Sequence, residues 1–339
     1  MTRARRSPYT GVFLLVMFGL LALFNAAKPR VMVLHKEHKG DEWAEQVDAG
    51  VRRALKSNRR PVSMSWHYLD LDRKASAAAK TAAVNEARRA VSYQDPDILI
   101  AVDDESNALV AAHYAGQQRP KVLYVSIDMP PAHYGYTTVS NVSGIAEVLP
   151  LAGARDAMRA MRDGRPCRVA AVGADCDTGR AEMAQVKAFN WAPCTLTHTT
   201  LSQTWSEFQR SVAKAGETAD VLLVLTFEGM TATDGGTVAD TVVAPWIEQN
   251  ARPLVIGLRH EYVAEGGAFA LTAAGENQGA DAMDMALDWL DRPWISGAPE
   301  PVTSDAFNVM MRQSALEKRG VKLPVIYREA ARATGHLYP

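Results

Sequence analysis

The run "DILIAVDDES", Asp97 to Ser106, sets a strand-forming apolar stretch directly against three acids and a hydroxyl. Asp103, Asp104 and Glu105 offer two kinds of chemistry. An acid at the start of a helix accepts from free backbone N–H groups and complements the helix dipole, worth about 1 kcal/mol. That job takes one acid. Three in succession imply that at least one faces a ligand carrying hydroxyls, an amine or another cation, while its neighbour caps the helix. Similar junctions recur along the chain: His35 before "KEHKGDEW", Ser126 and Asp128 after "KVLYV", Asp175 within "GADCDTG", Phe227 with Glu228, and Arg259 before His260 and Glu261.

Each junction also has a plainer use. His35 and His38 have H-x-x-H spacing beside Glu37, but a turning loop fixes no ligand geometry, so single polar contacts are expected and no metal site. "GADCDTG" could cradle an anion through backbone N–H groups, yet it lacks the lysine of a P-loop, and its acids also suit helix capping. Trp43 could stack on a planar ligand, although its place on an apolar helical stripe favours the core. The chain has no G-x-S-x-G elbow, H-E-x-x-H or Walker A motif, so no enzyme and no cofactor are expected. Strand-end acids acting as a glycosidase-like pair are the hydrolytic alternative.

What must position these residues is a repeated strand-then-helix unit. "RVMVLH" from Arg30 precedes a helix with Trp43, Val47, Val51 and Leu55 on one stripe. Strands near Val62, Asp97 and Lys121 follow, the first two with helices behind them. Such alternation implies parallel sheets covered by helices on both faces. In sheets of that kind ligands bind outside the carboxyl ends of the strands, where the polar junctions lie. The rhythm breaks at Asp128 to Gly144, a Pro- and Gly-punctuated segment read as a passage between lobes. It restarts from Leu151 with strands opening at Cys167, Cys194, Asp220 and Pro253. After "AFALTAAG", Ala268 to Gly275, a further helix and a proline-rich tail suit a chain that crosses back to the first lobe.

With 339 residues, 47% of them hydrophobic, the chain has material for two cores. Its 37 basic and 38 acidic side chains leave a formal net charge of −1, which excludes a general field for nucleic acid. Arg3, Arg5 and Arg6 precede the uncharged run Gly11 to Phe24 and then "NAAKP", the layout of a secretory signal. The run is shorter than the roughly 20 residues of a membrane span. Cleavage after Ala27 would put Asn25 where a small residue is preferred, so an uncleaved anchor is the alternative. Export brings the three cysteines into an oxidising compartment. Cys167 and Cys194 open consecutive strands, whose starts would lie about 5 Å apart if paired, within disulfide range, leaving Cys176 free.

The segment "KVLYVSIDMPPAHYGYTTVSNVSGIAEVLPL", with the later "FNVMMRQSALEKRGVKLP", resembles the substrate-binding proteins of ABC transporters with the type I periplasmic fold, in the branch that includes tryptophan-binding members. Ser126, Asp128 and Pro130 match the family's turn. Asn141, Val142, Ser143 and Gly144 match its crossover, with serine for threonine, and Phe307, Asn308, Gly320, Leu323 and Pro324 match its tail. The resemblance implies two Rossmann-like α/β lobes with parallel sheets, joined by a three-crossing hinge that includes Asn141, Gly144 and Thr272. It implies a signal or anchor at 1–27, a first lobe of 28–138 plus 272–302, and a second of 139–271 plus 303–339. A monomer that traps a small molecule in the periplasm and passes it to an inner-membrane ABC permease would follow; a membrane-anchored ligand sensor of the same fold is the alternative. "DDES" departs from the small neutral turn of many members, so a neutral amino acid does not carry over as ligand.

Overall fold

The computed structural model describes all residues except 1–7, 59, 72, 75, 163 and 293–296, so Arg3, Arg5 and Arg6 lie outside the described residues. The first element, α1 (Pro8–Ala26), holds its large apolar side chains in the open, with Phe13 66% and Leu15 77% exposed. Among the described residues no helix is long and apolar enough to cross a membrane.

The first lobe alternates as expected: β1 (Arg30–His35), α2 (Glu42–Ser57), β2 (Ser63–Tyr68), α3 (Ala77–Gln94), β3 (Ile98–Val102), α4 (Asp104–Leu109), β4 (Lys121–Ile127) and β5 (Val142–Glu147). The second lobe continues with α5 (Leu151–Met161), β6 (Arg168–Ala174), α6 (Asp177–Ala188), β7 (Thr195–Ser202), α7 (Trp205–Thr218) and β8 (Val221–Val224). Then come α8 (Asp240–Asn250), β9 (Leu254–Gly257), α9 (His260–Ala264) and β10 (Phe269–Ala273). The chain returns through α10 (Gly275–Asp291) and β11 (Val302–Ser304), and ends with β12 (Phe307–Arg312), α11 (Gln313–Lys318), α12 (Val325–Ala333) and β13 (Leu337–Tyr338).

The first sheet has the order β11-β5-β4-β3-β1-β2 with every pair parallel; the second runs β13-β12-β10-β9-β8-β6-β7, with only β12 against β10 antiparallel. Helices cover both faces of each sheet. Central strands are therefore apolar throughout, as in β3, where all five residues are buried. Cys167 and Cys194 are disulfide-bonded with Cα atoms 4.5 Å apart, just before paired strands β6 and β7. Cys176 is free.

The chain passes between sheets three times, at residues 148–150, at 274 and at 305–306. The first passage lies later than the boundary drawn at 138/139, because Asp128 to Gly144 is an excursion within the first lobe. Tyr134 and Tyr136 from this segment are buried; Tyr136 stacks on Tyr124 of β4 at 5.8 Å, and Tyr134 packs tilted against Tyr136 at 5.3 Å. Prolines and glycine mark a tight turn there, and the aromatic side chains fold it back. Asn141 and Gly144 are accordingly not hinge residues. Asn141 donates to the Tyr114 and Pro120 carbonyls and accepts from Gly116 N–H, and Gly144 gives Tyr124 room that a Cβ would fill. Thr272 lies in β10, opposite Asn308, two residues before the second passage. The returning α10 packs on α2 through Gly50 and Gly279, where any Cβ would run into the other helix's backbone.

Candidate functional site

The parallel strands of both lobes point their carboxyl ends at the gap between them, and charged side chains follow those ends. From the first lobe come Lys36 and Glu37 after β1, Asp103 after β3, Asp128 after β4 and Glu147 at the end of β5. The second lobe adds Arg259 after β9, Glu182 of α6, Glu261 of α9 and Glu228 after β8.

Arg259 joins the lobes. Its guanidinium donates to Glu147 at 2.9 Å and Asp128 at 3.3 Å, both in the first lobe, and its Nε lies 3.4 Å from Glu182 in the second. The three partners are buried, with side chains 7%, 8% and 0% exposed respectively. Burial, then the neighbouring Asp128, pushes the Glu147 carboxyl up to about 8, Arg259 only partly opposing it. Burial likewise raises Glu182 to about 7 against the pull of Arg259. Three carboxyls around one guanidinium exceed its charge, and burial favours the protonated form of two of them, Glu147 and Glu182.

The second cation, Lys36, lies 3.7 Å from Glu37 and 3.6 Å from Glu105. Burial works against its charge, but Asp103, Glu105, Glu37 and Glu228 together hold the ammonium above the ordinary lysine range. Glu37 and Asp103 are themselves raised, first by burial. The two carboxyls hydrogen-bond to each other, which raises Asp103 further and works against the rise of Glu37.

The DDES turn divides its labour differently from the expected cap-plus-ligand split. Asp103 stands at the N-cap position of α4 yet makes no side-chain cap bond. Its φ of 68° lies in the left-handed region, whereas a capping side chain needs an extended residue to reach back to the helix N–H groups. Asn107 and Ser106 hold this conformation by donating to the Asp103 carbonyl, at 2.8 and 3.2 Å, while Asp103 N–H donates to Val125 O at 2.9 Å. Asp104 does not cap either. Its Oδ1 accepts from the backbone N–H groups of Asp128 and Met129 and from the Tyr134 hydroxyl, pinning the turn after β4. Glu105 is 52% exposed and pairs with Lys36.

Several other expected contacts are internal to one lobe. His35 is fully buried; its Nε2 meets Asp48 at 2.9 Å and its ring stacks on Tyr68, whose hydroxyl donates to the same carboxylate at 2.6 Å. Ser126, 3% exposed, donates to Gln278 of α10 at 2.6 Å. Phe227, 2% exposed, packs in the second core with Phe208, Val224 and Tyr262, so the strand-end rule placed it wrongly: its side chain belongs to the core and not to the gap. Asp175 is held by Arg180 at 2.5 Å and Gln203 at 3.0 Å within its own lobe. Asp128 and Arg259 do meet across the lobes, and the charge of Glu228 acts on Lys36 of the first lobe.

Sequence reading passed over Lys36, Glu147 and Glu182. Glu147 ends a parallel strand, a signal hidden by placing β5 in a passage between lobes. A mid-helix acid such as Glu182 carries no local mark, because only the second lobe's packing buries it. Among the described residues no three His, Cys, Asp or Glu side chains are grouped so as to hold a metal ion.

No family model and no curated protein matches the sequence. Solved structures do match by shape. A substrate-binding protein with adhesive properties from Clostridium difficile, in its ligand-free, open form, is 14% identical with a TM-score of 0.65, over 87% of this chain and 96% of that one. An ABC domain in complex with L-Trp from Streptococcus pneumonia is 13% identical with a TM-score of 0.57, over 88% of this chain and 98% of that one. A periplasmic ribose ABC transporter protein from Conexibacter woesei is 13% identical with a TM-score of 0.51, over 89% and 97%. The likeness shows the fold: two α/β lobes in the type I periplasmic binding protein arrangement.

Proposed function

We propose that this chain is an exported solute-binding protein that traps a small polar molecule between its lobes and delivers it to an inner-membrane ABC permease. One observation carries the reading. Arg259 of the second lobe is clasped by Asp128 and Glu147 of the first, so the lobes meet through charged strand-end residues in a fold whose neighbours include substrate-binding proteins. A gap that closes on polar groups excludes water from whatever it encloses, which strengthens each charge-assisted bond inside. The apolar α1, unsupported by either lobe, fits a targeting segment for export to the periplasm, and the lobes account for their cores without a second copy.

The test is a thermal-shift screen of the purified chain against amino acids, sugars, polyamines and nucleosides, followed by small-angle scattering. A true ligand raises Tm in proportion to the logarithm of its concentration and shrinks the radius of gyration. Slow chemical turnover of a compound that binds would replace this reading with a hydrolytic one.

A further inference from the structure

The outer edge of the second sheet is polar where a helix packed on a strand ordinarily buries apolar side chains. Strand β7 ends that sheet, and α7 packs across it. Phe208, Val212 and Ala215 of α7 fill the core over the inner strands, as one face of an amphipathic helix should. The neighbouring stripe of Glu207, Arg210, Ser211 and Lys214 reaches out over β7. There the strand answers with His198, Thr200 and Ser202, alternate residues on one face. Leu201, between the last two, packs with the core on the sheet's other face. The two polar stripes line an open cavity of about 310 Å³, at the small end of the range for ligand pockets. None of these residues belongs to the charged set between the lobes.

Positive charge in this cavity is left uncompensated. Its one acid, Glu207, spends Oε2 on the N–H groups of Gln203 and Thr204, both at 3.1 Å, and closes the capping box of α7. Arg210 feels the charge of Glu207, but among the described residues it forms no ion pair with it. Lys214 likewise has no acid partner among the described residues. Its charge falls instead on His198, whose imidazole is held below the ordinary range by burial and then by Lys214. The hydroxyls add donors. Thr200 Oγ1 and His198 Nε2 are 2.7 Å apart, a bond that uses one of the pair's two protons and leaves the other free to donate. Ser202 and Ser211 close the floor, 3.5 Å apart.

We propose that this cavity is a second binding site, separate from the gap between the lobes, and that it takes a phosphate group, free, on a small ester or in a lipid headgroup. Arg210 and Lys214 clasp the phosphate oxygens from the helix side, and His198 and Thr200 donate from the strand side. A phosphate monoester carries about two negative charges near neutral pH, which matches two cations without an acid partner. Its several oxygens suit donors spread around a cavity, and a guanidinium engages two of them at once. A carboxylate, with one charge and two oxygens, would leave half of this set unused.

The solute-binding reading concerns the gap and stands whichever way this proposal falls. The full-length chain is titrated by calorimetry with inorganic phosphate, ribose 5-phosphate, ribose and acetate, and sedimented with phosphatidylglycerol vesicles, all at one ionic strength so that general screening is constant. Binding of inorganic phosphate, ribose 5-phosphate or the vesicles is expected, and Arg210→Gln and Lys214→Gln should each weaken it about tenfold. Tm should not move, because both side chains are exposed on α7. Vesicle binding alone would support the site with a lipid headgroup as the source, and binding of ribose 5-phosphate would support it with a soluble ester. No binding of any phosphate, or binding that neither variant weakens, would overturn the site. Acetate or ribose binding that the same variants weaken equally would overturn the assignment to phosphate.

Discussion

Two cations sit between the lobes, each ringed by carboxyl groups, and they are held in opposite ways. Arg259 engages three carboxyls whose side chains are all less than a tenth exposed, at hydrogen-bond or near hydrogen-bond distance. Lys36 hovers beyond 3.5 Å from both of its partners, one of which, Glu105, is 52% exposed. A planar fork fixed on buried acids suits a latch between lobes. A flexible ammonium held at Coulombic distance, with one partner half exposed, is the looser arrangement. The same ingredients, base among acids, therefore serve different ends according to how tightly geometry commits them.

The sharpest way to break this contrast is to remove each cation in turn. Arg259→Met should leave three buried carboxyls without their counter-charge and cost about 3–5 kcal/mol of stability, read by urea unfolding, with lobes that open in small-angle scattering. Lys36→Met should cost under about 1 kcal/mol, as a partly exposed pair does. Equal losses would put the two clusters on one footing.

The two aspartates of the DDES turn sharpen it next. Asp104→Ala removes the acceptor that ties Asp128 N–H, Met129 N–H and the Tyr134 hydroxyl, and should lower stability by about 2–3 kcal/mol. Asp103→Asn should leave Tm close to the parent, because burial already disfavours its charged form, and should act on binding instead. A drop in stability for Asp103→Asn as large as that for Asp104→Ala would return Asp103 to a purely structural role.

A pH series probes the latch with a smaller signal. Glu147 at about 8 and Glu182 at about 7 hold protons in the closed form that an open or unfolded chain, with glutamates near 4.5, would release. The stability these groups contribute is complete below about pH 4.5 and is lost as pH rises through 7 and 8. Tm should therefore fall between pH 5 and pH 8.5, by several degrees, with Asp128, Arg259, Glu261 and Gln278 facing the titrating pair. Glu147→Gln, neutral throughout, should flatten that slope. Lys36 stays charged over the whole window, so Lys36→Met should leave the slope nearly unchanged. The smallest effect is that of Glu105→Gln, about 0.5 kcal/mol or less on stability, since half-exposed pairs are screened by water and salt.

Most strands and helices were legible in the order of residues because each is an apolar period of two or 3.6 bounded by caps and turns. Both lobes, the pairing that brings Cys167 to Cys194, and the rule that polar junctions gather at one edge of each sheet follow from that periodicity. The misplacements have a common cause. Asp128 to Gly144 looks like a linker from its prolines and glycines, yet three packed tyrosines tie it to the first lobe, and so β5, Glu147 and the true passage at 148–150 were displaced. Phe227 and His35 occupy strand ends as expected but turn into their own cores.

By itself the sequence determined the α/β alternation, the two lobes and the cysteine pair, all properties of near neighbours along the chain or of repeated spacing. Only the tertiary structure decided which of many charged side chains face one another. That choice depends on dihedral angles such as the 68° φ of Asp103, on burial that raises Glu147 and Glu182, and on an arginine whose partners lie 112 and 131 positions away. Electrostatic pairing acts through space at a few ångströms, and no local pattern records which distant residues the fold will bring that close.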